Sequence, residues 1–218
     1  MKKLILLSIL LIVGCGIIKA EFINSYGIKV GIVNAKQDWH YLGSVSNLNN
    51  LDIMSKSMAK LLLSGYFEHT FTPKLSLQSG IEYIQKGAQS KCSIGMDAMG
   101  NPTGDCLTPT IGLDYLSAPI QLKYTHKYKN YSPYALIGFK YDILINKKES
   151  LLGGGILENI NNSDYCLTYG IGIMKDIEKY NVGLEIRNSY PLSSAYSTDL
   201  LEMKNFTTDI SLLFQLLP

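Results

Sequence analysis

The sequence has 218 residues and a formal net charge of +2, which fits a single domain. Charged residues make up only 17% of the chain, and 15 of its 218 residues are tyrosines. A water-soluble surface usually carries more charge, so part of the surface is expected to face lipid. The basic residues form no stripe, which argues against nucleic acid as a partner.

The first 20 residues are predicted to be a cleaved secretory signal peptide. Lys2 and Lys3 precede an apolar run over residues 4–18, slightly too short to cross a bilayer of roughly 30 Å as a helix. Ala20 offers a small residue at a cleavage site, but residues 12–15 also resemble a bacterial lipoprotein box, in which Cys15 would be acylated. The sequence leaves both processing routes open. Residues 21–218 form the predicted mature domain.

Eight later segments alternate apolar and polar residues with the period of two typical of strands. In chain order they cover residues 26–33, 61–70, 75–85, 113–125, 134–145, 165–175, 181–188 and 206–216. Tight connections at 72–74, 126–132 and 177–180 alternate with long polar ones at 34–60, 86–112, 146–164 and 189–205. Outer-membrane barrels have short turns at one rim and long loops at the other. The sequence therefore predicts an all-β, eight-stranded antiparallel up-and-down transmembrane barrel with short periplasmic turns and long external loops.

The first long loop contains a second periodicity. Leu51, Met54, Met58, Leu61 and Leu62 recur at helical spacing, so a short amphipathic helix is a further expectation for residues 47–63.

Strand alternation alone does not decide which face points outward, because a lipocalin-like carrier also has eight strands but an apolar lumen. The polar face contains many glycines, among them Gly27, Gly138 and Gly172. Glycine weakens an exposed strand, but inside a narrow barrel it leaves room for long neighbours. Enclosed charges need partners. We therefore expect a lumen ion-pair network formed by Lys29, Glu68, Glu82, Lys123, Lys140, Asp142, Glu185, Arg187 and Asp209.

Aromatic residues concentrate at the two ends of the predicted strands, as expected for rings at the headgroup level of a bilayer. The predicted girdle at the short-turn rim contains Tyr26, Phe67, Phe71, Tyr124, Tyr128, Tyr131, Tyr134 and Tyr180. The girdle at the long-loop rim contains Tyr83, Tyr115, Tyr141, Tyr165 and Tyr190. A barrel this narrow, filled with charged side chains, is not expected to conduct as a porin does.

The strand sequences also resemble a known family. The resemblance lies in residues 26–31, 65–68, 75–83, 85–87, 115–124 and 133–138, with the last two segments most specific. These segments resemble the PorT-like outer-membrane β-barrel family of Bacteroidetes-type bacteria. The resemblance implies an eight-stranded barrel in the bacterial outer membrane, and a link to secretion machinery as a protein partner. It implies no catalytic residues.

Two cysteines flank the turn-rich stretch 93–105 in the second long loop. Exported proteins meet an oxidising compartment, so Cys92 and Cys106 are predicted to form a disulfide. Cys166 is expected to be a small buried thiol on the lumen side.

The sequence offers little for catalysis, metal or cofactor binding. His40, His69 and His126 are not at zinc-ligand spacing, and neither a nucleophile elbow nor a zincin motif occurs. We therefore expect a non-enzymatic outer-membrane barrel without metal or cofactor, which contacts lipid and displays loops for recognition or assembly. Its small-molecule ligand is unknown. The alternatives are a lipocalin-like soluble carrier of an apolar ligand and an outer-membrane enzyme with its site on the loop rim.

Overall fold

The computed structural model describes residues 24–42, 56–90, 93–96, 102–150 and 159–217, with side chains described outside 91–107 and 149–158. The predicted signal peptide with Cys15, and residues 47–55 of the predicted helix, lie outside these ranges.

Strands make up nearly all of the described chain. In chain order they are β1 (Ser25–Tyr41), β2 (Lys56–Thr72), β3 (Leu75–Gln89), β4 (Ser93–Met96), β5 (Pro102–Leu107), β6 (Thr110–Thr125), β7 (Tyr131–Ser150), β8 (Ser163–Ile177), β9 (Tyr180–Pro191), β10 (Tyr196–Ser197) and β11 (Leu201–Leu216). The described residues contain no helix that combines the length and the apolar character needed to cross a membrane.

Eight of these strands form a closed antiparallel barrel, which confirms the predicted fold. Each of β1, β2, β3, β6, β7, β8, β9 and β11 pairs with the next, and β1 closes the wall by pairing with β11 from Tyr26 opposite Leu216 to Tyr41 opposite Leu201. Strands β4 and β5 form a separate hairpin, and β10 adds to β11. Closure gives each barrel strand two neighbours, so no open sheet edge faces lipid.

Several strands extend well beyond their predicted ends. Strand β1 continues past Val33 to Tyr41, and β7 is 20 residues long. Strand β2 begins at Lys56, so the helix expected over 47–63 is wrong for residues 56–63. Leu61 and Leu63 face outward there, whereas Leu62 is fully buried inside. Apolar residues on both faces of this part of the strand produced the misleading helical spacing.

The two faces of the wall exchange polarity near the long-loop rim. We call the half of the barrel near the short turns the lower part and the half near the long loops the upper part. In the lower part of β1, Ile28, Val30 and Ile32 are exposed outside, while the Lys29 side chain is buried inside. Above Ile32 the outer face carries Asn34 and then polar residues, and the inner face becomes mainly apolar, with Gln37 as its one polar residue in β1. The exposed apolar part of the outer surface is therefore a band, as required for contact with lipid.

Strand β6 shows the same exchange. Its inner face carries Gln121 and Lys123 in the lower part, and the apolar residues Ile111 and Leu113 in the upper part. Outside, the band ends at Leu116, and Asp114 follows. The buried apolar residues of the upper part form one cluster, here called the upper core: Val33, Ala35, Trp39, Leu62, Ile84, Ala88, Ile111, Leu113, Tyr115, Ile160, Ala195, Tyr196 and Met203.

Most predicted girdle residues lie on the outer surface, but two do not. Tyr134 is 5% exposed and Tyr115 is fully buried, so both point into the barrel. The prediction of Tyr134 and Tyr115 as girdle residues is therefore wrong. Position near a strand end does not distinguish the two faces, and both tyrosines have the parity of the inner face.

The band predicts where a charge is tolerated. Val30→Lys places an ammonium in the apolar band and should destabilise the barrel by about 2–4 kcal/mol, because the charge must be buried in hydrocarbon. Asn34→Lys, on the same face of the same strand but above the band, should cost about 1 kcal/mol or less. Urea unfolding in phospholipid vesicles measures both. Equal effects of the two substitutions would contradict the assigned edge of the band.

Candidate functional site

The barrel lumen collects charged side chains from all eight strands of the wall and forms the most distinctive site of the molecule. All nine residues expected in the lumen have buried side chains: Lys29, Glu68, Glu82, Lys123, Lys140, Asp142, Glu185, Arg187 and Asp209. They are distributed over successive levels, from the short turns to the upper core.

The lowest level is an ion pair between Lys123 and Glu68. The Lys123 Nζ atom lies 2.9 Å from Oε2 of Glu68. Ser76 donates a hydrogen bond to Glu68 Oε1 at 2.5 Å, and Gln215 donates to Oε2 at 3.0 Å. The carboxylate thus has a cation and two neutral donors, which offsets the cost of burying it.

The next level pairs Lys29 with Glu185. Their Nζ and Oε1 atoms are 2.9 Å apart, and Lys29 also donates to Gln78 at 2.8 Å. The Tyr134 hydroxyl donates to the other oxygen of Glu185 at 2.8 Å. Tyr134, incorrectly expected in the outer girdle, is therefore part of the lumen network.

The central level is formed by Arg187 between two carboxylates. Its two terminal nitrogens donate to Glu82 at 2.7 and 3.0 Å, which is a bidentate pair. Its Nε donates to Asp209 at 3.1 Å. Ser211 donates to the other Asp209 oxygen at 3.2 Å. This trio has one formal negative charge in excess, since one guanidinium serves two carboxylates.

The highest charged level contains two residues absent from the predicted network. Lys86 is fully buried, and its Nζ lies 2.6 Å from Asp142 and 3.2 Å from Asp164. Lys140 lies 3.9 Å from Asp142 and donates to Ser189 at 3.3 Å. The sequence prediction places residue 86 in the second long loop and residue 164 in the third, because it ends β3 at residue 85 and begins β8 at residue 165.

One group at this level has the composition of a metal site. One ligand atom each from Asp142, Asp164 and the buried Cys166 lies within 4.8 Å of the others. The Lys86 ammonium already contacts all three, with its Nζ 3.9 Å from the Cys166 sulfur. Lys86 thus supplies the positive charge at this position.

Two lumen tyrosines depend on glycines in the neighbouring strand. A Cβ atom on Gly172 would lie 2.3 Å from the Tyr134 ring, and one on Gly27 would lie 2.7 Å from the Tyr66 ring. The rings lie across these glycines and face cations: Lys123 Nζ is 4.4 Å from the Tyr134 centroid, and Lys29 Nζ is 5.1 Å from that of Tyr66. The glycines make room for large neighbours, and those neighbours are aromatic as well as charged.

The upper core closes the lumen above the charged levels. Trp39 packs against Tyr196 with ring centroids 5.4 Å apart, and Ile160 forms a β-bridge with Tyr196. Strand β10 and residue 160 thus bring loop segments over the mouth of the barrel. The described lumen is filled by ion pairs below and by apolar side chains above.

The predicted disulfide lies at the margin of the described chain. Cys92 and the side chain of Cys106 lie outside the described residues. The adjoining backbone is paired: Ser93 lies opposite Leu107, and Ile94 lies opposite Cys106.

Comparisons with known proteins give a family assignment. Residues 23–197 match the family model of the outer membrane protein β-barrel domain. The chain belongs to this family. It is therefore an outer-membrane β-barrel protein whose apolar band contacts membrane lipid, with its long loops on the external side. No curated protein matches the sequence.

Solved outer-membrane barrels are similar to this chain at low identity. The N-terminal β-barrel domain of Pseudomonas aeruginosa OprF is 10% identical, with 88% of this chain and 97% of that chain covered and a TM-score of 0.43. Ail, the attachment invasion locus protein of Yersinia pestis, is 11% identical, with 88% and 98% covered and a TM-score of 0.40. The outer membrane protease OmpT of Escherichia coli is 9% identical, with 89% and 96% covered and a TM-score of 0.45.

The central trio predicts an asymmetry between its members. Arg187→Met leaves two buried carboxylates without their cation and should destabilise the barrel by about 3–5 kcal/mol. Asp209→Asn removes the excess negative charge and leaves the bidentate Arg187–Glu82 pair, so it should cost far less. Urea unfolding of both variants in vesicles, monitored through the single tryptophan, Trp39, measures the difference. Greater destabilisation by Asp209→Asn than by Arg187→Met would contradict the assigned roles.

Proposed function

We propose that this protein is a non-enzymatic outer-membrane anchor that displays its external rim for recognition or assembly. The observation that carries the proposal is the filled lumen: ion pairs occupy its middle and apolar side chains its upper part. Filled lumens of eight-stranded barrels leave no aqueous channel. The buried charges also differ from the apolar cavity of a lipocalin-like carrier. Both observations support a function carried by the outer surfaces.

The external rim has the properties of a contact surface. The upper parts of β1, β7 and β11 extend above the apolar band, so their rim ends lie away from the bilayer. Leu42 and Leu200 lie at this rim, are joined by a backbone hydrogen bond of 2.9 Å, and are each 54% exposed. Exposed apolar side chains outside the lipid band favour a protein partner.

The buried carboxylates argue against catalysis in the lumen. Glu82 and Glu185, or Asp142 and Asp209, are the pairs that could act as acid and base. Each of these carboxylates is engaged by Lys or Arg within 3.1 Å. A carboxylate held this way is a structural ion-pair partner. The alternative hypothesis is an outer-membrane enzyme with its site on the loop rim.

A narrower proposal concerns the partner. The resemblance to PorT-like barrels suggests a component of protein secretion machinery. This rests on family analogy alone, and the external rim is the surface on which such a partner would assemble.

The predicted Cys92–Cys106 disulfide would support such a rim. Ser93 and Leu107, which follow the two cysteines in the chain, are paired in the β4–β5 hairpin. A disulfide here would therefore cross-link a hairpin that the backbone already forms. In the chain-entropy model, closing a loop of this size stabilises it by about 3 kcal/mol.

The disulfide prediction is tested by peptide mass mapping. Digestion of the protein purified from outer membranes, without reductant, should yield one peptide pair that joins Cys92 to Cys106. The thiol of Cys166, which is buried, should react with an alkylating agent only after unfolding. Recovery of Cys92 and Cys106 as alkylated thiols from the folded protein would refute the predicted disulfide.

The display proposal is tested by site-specific photo-crosslinking in intact cells. A photoreactive residue at Leu42 or Leu200 should give a discrete protein adduct, because these positions lie on the external rim. The matched control is Ile210, which is 53% exposed but lies in the apolar band, and should give lipid adducts. A protein adduct at Ile210 with none at Leu42 or Leu200 would contradict display by the rim.

A further inference from the structure

Two lysines face each other across a gap in the outer wall, above the apolar band. Gly87 lies opposite Gly112, and Gly112 lies opposite Lys148. On the other side of this glycine pair, β2 contributes Lys60, whose Nζ lies only 3.8 Å from the position a Cβ of Gly112 would take. Because Gly112 has no side chain, a recess of about 240 Å³ opens between the lysines.

The carboxylate that lines the recess forms no ion pair with either lysine. Asp114 lines the recess, but Gln85 donates to its Oδ1 at 3.1 Å and Asn146 donates to its Oδ2 at 2.9 Å. Among the residues whose side chains are described, neither Lys60 nor Lys148 has a carboxylate within 4.0 Å. Other outward lysines differ: Lys36 pairs with Asp38 at 2.7 Å, and Lys204 pairs with Glu202 at 3.5 Å.

The position of the recess indicates the nature of its ligand. Towards the membrane, the strands carry first the row Gln85, Asp114 and Asn146, and then apolar residues of the band. Leu116 and Ile143 in that band are 41% and 44% exposed. A ligand that satisfies both lysines and lies along this surface has an anionic head and an apolar tail. Basic residues at the headgroup level attract anionic lipid, and paired ammonium groups suit a phosphate.

We propose that the recess between Lys60 and Lys148 binds the phosphate group of an outer-leaflet lipid. The two ammonium groups donate to the phosphate oxygens, the missing side chain of Gly112 allows the headgroup to approach the backbone, and the acyl chains lie along Leu116 and Ile143. The protein is thereby fixed to a lipid at one side of its circumference.

The test is a titration of the mature barrel, folded in uncharged dodecyl maltoside micelles, with dodecyl phosphate, read by native mass spectrometry. The wild type should bind one molecule saturably. Lys60→Gln combined with Lys148→Gln should weaken binding by about tenfold or more. Gly112→Val, which fills the recess without changing the charge, should weaken it similarly. The control variant Lys36→Gln with Lys204→Gln, which also removes two outward charges, should bind like the wild type.

Four outcomes would overturn the proposal. They are the absence of a saturable dodecyl phosphate adduct on the wild type, equal binding by the wild type and the Lys60/Lys148 variant, an equal loss in the Lys36/Lys204 control, and displacement of the probe by inorganic phosphate at matching concentration. The last would assign the recess to free phosphate rather than lipid. The heat-dependent gel mobility of barrels verifies folding before each titration. If the double variant fails to fold, the single variants Lys60→Gln and Lys148→Gln replace it.

Discussion

Five cations and six carboxylates lie inside a wall whose outer surface faces lipid, and their mutual pairing allows the polar faces of eight strands to close on one another. The closed backbone ladder removes sheet edges but says nothing about what fills the interior. Within the apolar band the filling is ionic, and each charged group contacts a partner contributed by another strand. Arg187 illustrates this, since it joins Glu82 on β3 to Asp209 on β11. The charges therefore link strands that are not neighbours in the wall.

Such a network specifies register as well as closure. Sliding one strand by a single residue would turn Lys29 or Arg187 towards hydrocarbon and bring an apolar residue inward. The cost of an unpaired buried charge is larger than the gain from most single contacts. The glycines opposite Tyr66 and Tyr134 add a steric constraint, because a ring fits only where the adjacent strand has no side chain. Charge and shape thus favour one alignment of the strands.

The sequence predicted the eight strands and their connectivity, because period-two alternation is strong wherever one face is lipid-facing and the other polar. The prediction failed where the inner and outer faces of the wall exchange polarity. Asn34 and Lys36 face outward from a strand, but polar residues beyond the band were interpreted as loop, so β1 was ended at Val33. The same error omitted Lys86 and Asp164 from the predicted network, since the predicted β3 ends before Lys86 and the predicted β8 begins after Asp164. Tyr115 and Tyr134 were assigned to the outer girdle from their position along the strand, although their parity places them inside.

The exchange of polarity also determines where function can reside. Below it, the outer face is committed to lipid and the inner face to ion pairs. Above it, the apolar side chains move inside and form the upper core, so the outer face becomes free to carry polar and charged groups. This is why Lys60 and Lys148 are available at the headgroup level, directly above Leu116 and Ile143. A barrel with the same polarity along its whole length would have buried such lysines in the lumen or lost them. The polar part of the wall above the band therefore holds both proposed contact surfaces: the recess for a lipid phosphate and the external rim.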